Sequence, residues 1–278
     1  MLCVLLTAAP AGAVWSGQSE RPPLNAQAPK RIVSLNLCAD QLVLALADRS
    51  QIAGLTHNAT DVDMSAAAVE ARGLPLLRGS AEEVLAVDPD LVIGMPARGN
   101  PSIAVLKAGK YRAVDLSPAE SYGAIVQSIR DVAGAVGHPA RGEAMIARMN
   151  AELGRLPKSG RPQVAAYYQR RGYLTGTGTL IDDLMQRVGL INLAVRLDRP
   201  VLSQLSLEEM IAARPDYLIV ESATDRVTDQ GTEMLHHPVL ADIPRISIPQ
   251  SWTVCGGPAY VKAARALSEA TVAHGGAP

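Results

Sequence analysis

Short apolar runs alternate with amphipathic stretches along the first part of the chain. Apolar runs of only a few residues are typical of strands that are buried on both faces of a parallel sheet. We predict such strands at residues 31–35, 52–55, 74–77, 91–93 and 112–116. Helices are predicted between them, at residues 41–47 and near residues 65–71 and 102–108. This alternation indicates an α/β lobe.

One stretch of this pattern occurs twice. Residues 80–93 return as residues 206–219 with a shift of 126 positions, and seven of the 14 aligned residues are identical. Each copy begins with a serine that can cap a helix, and a glutamate three residues later completes a capping box. Pro89 and Pro215 end these helices. A repeat seen once at this distance predicts two similar lobes, because solenoid units are only about 20–50 residues long.

The remaining pattern completes a second lobe. Two segments between the copies, residues 119–136 and 141–156, have apolar residues at helical spacing. We therefore predict one connecting helix at residues 138–157, between a lobe at 31–137 and a lobe at 158–278. The second lobe has predicted strands at 163–168, 190–193, 217–220 and 245–248, a glycine-rich turn at 172–178, and helices at 179–188 and 259–274. The predicted fold class is α/β, with two Rossmann-like lobes that have parallel sheets and are joined by one long backbone α-helix.

Composition limits the function classes. The 278 residues are 48% hydrophobic and 19% charged, with a net charge of −1, which is typical of a globular protein and argues against a general nucleic-acid binder. A glycine-rich turn precedes a helix, but it lacks the third glycine of a dinucleotide-binding loop and the lysine of a P-loop. Gly-x-Ser-x-Gly and His-Glu-x-x-His motifs are absent from the sequence. An enzyme is therefore the less favoured class.

The amino terminus has the pattern of an export signal. Residues 1–13 form an apolar run that ends in small residues, as in a cleaved signal peptide, and residues 14–30 read as a flexible leader. A buried first strand is the alternative for the apolar run. On the first interpretation the protein is exported to the periplasm, where Cys38 and Cys255 meet an oxidising environment.

Three features together resemble a known family. They are the sequence Ser-Leu-Asn-Leu-Cys-Ala-Asp at residues 34–40, the repeated Ser-x-Glu-Glu motif with its Pro-Asp, and the helix between the lobes. This order is similar to that of the periplasmic substrate-binding proteins of iron-siderophore and vitamin B12 ABC importers. The resemblance covers residue 31 to the C-terminus. It implies a protein, expected to be a monomer, that holds a small-molecule metal chelate between its lobes and delivers it to permease and ATPase subunits at the inner membrane.

The resemblance also implies how the lobes meet the permease. Family members dock through one exposed glutamate per lobe, and the matching residues here are Glu82 and Glu208. The neighbouring Glu83 and Glu209 stand at the capping-box position, so helix capping alone explains them. Favourable placement near a helix dipole is the alternative explanation for Glu82 and Glu208.

The expected cargo is a metal chelate, with a ferric siderophore as the first choice. Leu77, Met95 and Leu202 align where the vitamin B12 binder has pocket tryptophans, which weakens cobalamin as the ligand. Several arginines fall near loop tips, and guanidinium groups suit anionic chelates. Corrinoid or haem binding within the same family and direct Zn or Mn binding are the alternatives. We expect no intrinsic cofactor and no resident metal site.

Candidate ligand-binding residues lie on loops that follow strands, because ligands bind beyond the carboxyl ends of parallel strands. Trp252 matches a tryptophan of the vitamin B12 binder and could stack on a flat ligand, or it could belong to the core. His57 could ligate a metal or be a polar loop residue. The candidates are Asn36, Cys38, His57, Arg78, Met95, Arg98, Tyr168, Arg170, Tyr173, Ser203, Trp252 and Cys255.

The two cysteines of the predicted mature chain allow three interpretations. A disulfide between Cys38 and Cys255 would tie the lobes together at the mouth of the cleft and limit its opening. They could instead be free thiols in packed loops, or thiolate ligands of a metal or haem. A disulfide requires Cα atoms within about 7 Å of each other.

Overall fold

The computed structural model describes residues 28–97, 100–101, 111–158 and 160–275. The predicted signal peptide (residues 1–13), most of the predicted leader (14–30), Arg98 and the predicted helix near residues 102–108 lie outside these ranges.

The end of the predicted leader is held against the first lobe. The Gln51 side chain donates a hydrogen bond to the Pro29 carbonyl (2.8 Å), and the Lys30 N–H donates to the Asp90 carboxylate (2.7 Å). The ordered lobe therefore begins ahead of residue 31, the predicted boundary.

The first sheet contains five parallel strands among the described residues, in the order β3-β2-β1-β4-β5. The strands are β1 (Ile32–Ser34), β2 (Ile52–Thr56), β3 (Leu76–Leu77), β4 (Leu91–Gly94) and β5 (Arg112–Asp115). The neighbouring inner strands β1 and β4 are fully buried, which explains why their sequences are mostly apolar. The predicted parallel sheet is confirmed for this lobe.

Two predicted helices of the first lobe differ in the structure. Helix α1 (Leu37–Leu46) begins earlier than predicted, because the Asn36 side chain caps it by accepting the Ala39 N–H at 2.9 Å. No helix forms near residues 65–71. The N–H groups of Ala68 and Arg72 donate to carbonyls three residues back, not four, and residues 66–73 form consecutive turns.

Both copies of the repeat fold as the pattern predicts. In α2 (Ala81–Val87) and α7 (Leu207–Ala213) the capping serine accepts the N–H of the glutamate three residues later, whose carboxylate accepts the serine N–H. Both helices also end on a residue in the left-handed conformation, Asp88 (φ 49°) and Arg214 (φ 45°). Each is followed by the proline that prevents helical continuation. The structural equivalence of the copies thus extends from cap to cap.

The second sheet is mixed, not parallel throughout as predicted. Its order is β11-β10-β6-β7-β9, and β8 pairs in parallel with the first residues of β6, Gln163–Ala165. The strands are β6 (Gln163–Gln169), β7 (Tyr173–Thr175), β8 (Leu190–Asn192), β9 (Leu202–Gln204), β10 (Tyr217–Glu221) and β11 (Arg245–Ile248). Strand β7 runs antiparallel to both neighbours. The predicted turn at 172–178 was wrong in part, because left-handed Gly172 and Gly178 bracket this short strand.

Two consecutive helices, connected by a short turn, join the lobes. Helix α3 (Tyr122–Val136) packs on α1, and α4 (Pro139–Gly154), which covers most of the predicted connecting helix, packs on α3. Helix α4 also contacts the last helix of the second lobe. The remaining helices are α5 (Leu180–Arg187), α6 (Leu193–Arg196), α8 (Gln230–Glu233) and α9 (Tyr260–Gly275). Among the described residues, no helix combines the length and hydropathy that crossing a bilayer requires.

The largest hydrophobic core crosses from one lobe to the other. It includes Ile32 and Ile93 of the first sheet and Ile219 and Ile246 of the second, together with buried residues of the joining helices. A continuous, close-packed interior resists relative movement of its parts. The two lobes are therefore coupled along their helical side.

Candidate functional site

A disulfide joins the loops at the carboxyl ends of the two sheets. Cys38 lies in the first turn of α1, directly after β1, and Cys255 lies in the loop after β11. Their sulfur atoms are 2.11 Å apart and their Cα atoms 5.3 Å apart. Of the three interpretations of these cysteines, the structure has the disulfide. Because both cysteines follow strand ends, the carboxyl edges of the two sheets meet at this junction.

The first lobe has a cavity at this edge. Its volume is about 270 Å³, and residues 35–37, 56–58 and 77–79, which follow or end β1, β2 and β3, form most of its wall. Three predicted ligand-binding residues, Asn36, His57 and Arg78, come together there. The Arg78 side chain is exposed, while its N–H donates to the Glu83 carboxylate. The cavity thus has an amide, an imidazole and a guanidinium on its wall.

His57 presents its side chain to the solvent at this cavity. It begins a 3-10 turn, His57–Thr60, at the end of β2, and its side chain is exposed. No three His, Cys, Asp or Glu side chains come together in a metal-holding group anywhere in the described ranges. Within that part of the chain, His57 is therefore a single imidazole at the cavity and not one member of a metal cluster.

A buried carboxylate forms hydrogen bonds with the residue that precedes the His57 turn. Asp40 of α1 is fully buried and accepts hydrogen bonds from the Thr56 N–H (3.1 Å) and the Thr56 hydroxyl (2.5 Å). Burial raises the pKa of Asp40, whereas the hydrogen bonds and the nearby His57 act in the opposite direction. The bond to Thr56 fixes the backbone that carries His57. Asp40 belongs to the motif at residues 34–40, but the sequence alone did not indicate a role for it.

A smaller cavity of about 120 Å³ lies between the lobes beside the disulfide. Cys38 and Met95 of the first lobe and Cys255 of the second contribute to its wall. These three predicted residues are therefore brought together around a small space between the two lobes.

Two carboxylates cap helices across the junction. Asp183 of α5 accepts the Tyr122 N–H at the start of α3 (3.2 Å), and Glu120, just before α3, accepts the Leu180 N–H at the start of α5 (3.0 Å). Asp183 therefore links α5 to the first residue of α3, and Glu120 links the segment before α3 to the start of α5. Such caps satisfy N–H groups that a helix leaves unpaired.

Aromatic side chains reinforce this junction. The Tyr260 hydroxyl donates to Asp183 (2.5 Å) and accepts from the Arg187 guanidinium (2.9 Å). The Arg187 guanidinium also lies 4.5 Å from the centroid of the Tyr122 ring. Burial, followed by the bond to Asp183, raises the pKa of Tyr260. The hydroxyl therefore stays protonated and keeps donating to Asp183.

Replacing Asp183 with alanine should lower the free energy of unfolding by about 1–2 kcal/mol, because a helix cap and the Tyr260 bond are lost together. Glu120→Ala should cost less, since the Glu120 side chain is exposed. Urea denaturation measures both. Glu143→Ala is the control, because its exposed pair with Arg130 does not cross the junction and should change little. Equal effects of Asp183→Ala and Glu143→Ala would contradict the capping role.

The second lobe contributes a polar wall at the ends of β6 and β10. Glu221 accepts from the Tyr167 hydroxyl (3.2 Å), and burial raises its pKa. Arg170, a predicted ligand residue, forms an ion pair with Asp229. Its charge is therefore already compensated. Tyr173, which follows Arg170 by three residues, is exposed on β7.

Three predicted ligand residues of the second lobe are partly or fully buried. Tyr168 is fully buried, and its hydroxyl donates to the Leu205 carbonyl (2.7 Å), so its assignment to the ligand site was wrong. Ser203 lies on strand β9, where its buried hydroxyl has no hydrogen-bond partner in the described part of the chain. Trp252 is partly buried against the larger core, and neither of the two cavities above includes it in its wall.

The predicted docking glutamates occupy equivalent surface positions. Glu82 and Glu208 lie in the first turns of α2 and α7, and both side chains are exposed. The backbone N–H of Glu82 and the Ser80 hydroxyl lower the pKa of Glu82, so it is charged at neutral pH. Glu83 and Glu209 instead bond the capping serines.

Comparison with known proteins agrees with this architecture. A family model described as periplasmic binding protein matches residues 32–246. The chain is 25% identical over 206 residues to a cobalamin-binding protein of Halobacterium salinarum, covering 72% of this chain but only 56% of that protein. It is also 25% identical over 195 residues to a vitamin B12-binding protein of Pectobacterium carotovorum, covering 67% of this chain and 68% of the relative.

One solved structure has a higher sequence identity to this chain than these two relatives have. The periplasmic heme-binding protein RhuT from Roseiflexus sp. RS-1, in apo form, is 30% identical to this chain. The superposition has a TM-score of 0.68 and covers 88% of this chain and 99% of that one.

Proposed function

The chain belongs to the periplasmic binding protein family, and we propose that it binds a metal tetrapyrrole, haem or a corrinoid, for an ABC importer. It is exported by its amino-terminal signal to the periplasm and holds the cargo between its lobes. It then delivers the cargo to the permease and ATPase subunits at the inner membrane. Glu82 and Glu208 make the acidic contacts with the permease. In this role the protein is a carrier and not an enzyme.

The exposed imidazole of His57 in the wall of the first-lobe cavity is the observation that carries this choice of cargo. A receptor for a bare Zn or Mn ion needs three or four converging protein ligands, and His57 has no such group around it in the described residues. A metal in a tetrapyrrole already has four equatorial nitrogen ligands, so one axial imidazole is a sufficient protein ligand. The cavity that holds His57 therefore suits a metal that arrives in a macrocycle.

The wall around His57 fits the rest of such a cargo. Leu35 and Leu77 offer apolar surface to a flat ring, and the exposed Arg78 can pair with a peripheral carboxylate or phosphate. A ferric siderophore, the first choice from the sequence, already fills the coordination positions of its iron and gives His57 no ligand role. The named cargoes of the three relatives, cobalamin, vitamin B12 and heme, support the tetrapyrrole class.

Absorption titrations test the proposal. The purified mature protein is titrated separately with ferric haem, hydroxocobalamin, a ferric hydroxamate and ZnCl2. We expect a saturable spectral change with haem or with the corrinoid, and the better ligand identifies the cargo. Binding of the ferric hydroxamate alone, or of Zn²⁺ alone, would overturn the tetrapyrrole assignment.

Replacing His57 with alanine should weaken binding of that cargo by at least about 10-fold, because changes to metal coordination have effects of this size. The absorption bands of the remaining complex should shift, since the metal has lost its axial nitrogen. His237→Ala is the matched control, because His237 is also exposed but lies in the turn before Pro238 in the second lobe, outside the walls of both cavities. Unchanged affinity and spectrum in His57→Ala would contradict the axial role.

A further inference from the structure

We infer that exposed aliphatic side chains at equivalent positions of the two lobes form the apolar part of the permease-docking surface. The pairs are Leu85 with Ile211 and Leu76 with Leu202. This inference rests on the proposed function and adds to it, because acidic residues alone were assigned to that contact.

The pairs follow from the internal repeat. The shift of 126 residues that relates the two capping-box helices also relates Leu85 to Ile211 and Leu76 to Leu202. The exposed fractions are 52% and 36% in the first pair, and 41% and 53% in the second. An exposed aliphatic residue that stands singly is ordinary. Core packing does not explain why both copies, which differ at half of the aligned motif positions, keep aliphatic side chains exposed at the same places.

The first pair lies next to the docking glutamates. Leu85 follows Glu82 by three residues on α2, and Ile211 follows Glu208 by three residues on α7. Residues three apart are neighbours on the same face of a helix. All four side chains are exposed, whereas Val84 and Met210, on the opposite side, are buried in their lobes. Each docking helix therefore presents one acid and one aliphatic group together.

The second pair lies on the strands that precede the two docking helices. Leu76 lies on β3 and Leu202 on β9, and these are the edge strands of their sheets. Each strand leads within a few residues into the helix that carries the docking glutamate. Proteins usually protect an edge strand from other chains with charged side chains or proline. An aliphatic residue left exposed on both edges indicates a surface that a partner covers.

The duplication indicates the kind of partner. Two like patches, each with one acid and aliphatic neighbours, suit a partner with two like halves and basic groups at matching positions, such as the extracytoplasmic face of a permease dimer. A second copy of this chain fits less well, because the equivalent faces would bring Glu82 and Glu208 of both copies together, and like charges at an interface are unfavourable. Interfaces commonly combine an apolar centre with a charged rim.

The test uses the mature protein and its permease–ATPase complex reconstituted in nanodiscs. In Leu85→Ser/Ile211→Ser, the concentration that gives half-maximal ATPase stimulation should rise about tenfold, as expected when two central interface side chains are lost. Each single variant should show a smaller rise. Cargo affinity should stay unchanged, and circular dichroism should show an unaltered melting curve, because both side chains are on the surface.

The control is Val239→Ser/Val272→Ser. These valines are 41% and 38% exposed, but the residues 126 positions earlier, Ala113 on β5 and Ile146 on α4, are not exposed. The control should stimulate like the wild type. Equal stimulation by Leu85→Ser/Ile211→Ser and by the control would overturn the inference, as would a wild-type dimer in sedimentation that only the Leu85/Ile211 variant dissociates.

A failure of the inference is distinguishable from a failure of the proposed function. Cargo titration of the same proteins reports the function independently of docking. If cargo binds and reversal of Glu82 and Glu208 stops stimulation while the serine variant has no effect, the aliphatic contacts alone are refuted.

Discussion

Replacement of both Glu82 and Glu208 by lysine is expected to abolish stimulation of the importer's ATPase, while cargo affinity stays at the wild-type value. Both side chains are exposed, and the capping bonds of their helices are made by Ser80 with Glu83 and by Ser206 with Glu209. The lysine variant therefore keeps its fold. It would meet basic groups on the permease with positive charge, and such like-charge contacts strongly disfavour association.

A charge-matched control separates local contact from overall charge. Glu70→Lys with Glu233→Lys changes the net charge by the same amount, also with one exposed glutamate in each lobe, but away from α2 and α7. This control should stimulate nearly as well as the wild type, with a small loss that salt removes. If the two variants lose stimulation to the same extent, the effect is long-range steering, and Glu82 and Glu208 are not docking contacts.

The sequence was most informative where local chemistry decides local structure. The capping boxes and the prolines of the repeat predicted α2, α7 and the strands after them, because serine, glutamate and proline at that spacing leave few alternatives. The five strands of the first sheet were also found. The apolar runs of β1 and β4 mark strands buried on both faces, whereas β3 and β5 are only partly buried.

The sequence was least informative where contacts between residues far apart in the chain decide the surroundings of a side chain. Tyr167 and Tyr168 point to opposite faces of β6, as successive strand residues must. Because both faces of that sheet are covered by apolar cores, nothing local shows that Tyr168 is buried with its hydroxyl on Leu205. The three-residue strand β7 was missed for the same reason. Its pairing partners, β6 and β9, lie outside the glycine-rich segment that contains it.

The candidate site shows the same division. Asn36, His57 and Arg78 were found because each follows a predicted strand, and strand ends of a parallel sheet gather at one edge. The support beneath them was not found, because Asp40 acts through Thr56, which lies 16 residues away. The caps by Glu120 and Asp183 join residues 60 and 61 positions apart. Only the packed helices bring these groups together.

Several features of the junction act together to limit movement between the lobes. The core continues from one sheet to the other, helix caps cross in both directions, and a disulfide joins the strand-end loops. Under the proposed function, the cargo would enter between nearly fixed walls. Recognition by the permease then depends on surfaces that are already in place, such as α2 and α7, and less on a large closure.

Removal of the disulfide should produce a large loss of stability. Cys38 and Cys255 are 217 residues apart in sequence, so their bond restricts a long loop of the unfolded chain. Losing such a link costs about 2–5 kcal/mol in proteins that contain one. In urea denaturation of Cys38→Ser/Cys255→Ser, the midpoint should fall, and the slope of the free energy against urea should increase because the freed unfolded chain exposes more surface.

Two controls make this test decisive. The wild type in the presence of a thiol reductant should unfold like the double variant, and the single variant Cys38→Ser should match both, since either change breaks the same bond. Because Cys255 is buried at the junction, serine adds a small packing cost that the reduced wild type does not have. If the reductant leaves the wild-type midpoint unchanged while the thiols are shown by mass to be reduced, the link between the lobes does not stabilise the fold. The shared core and the crossed caps would then hold the two lobes together without it.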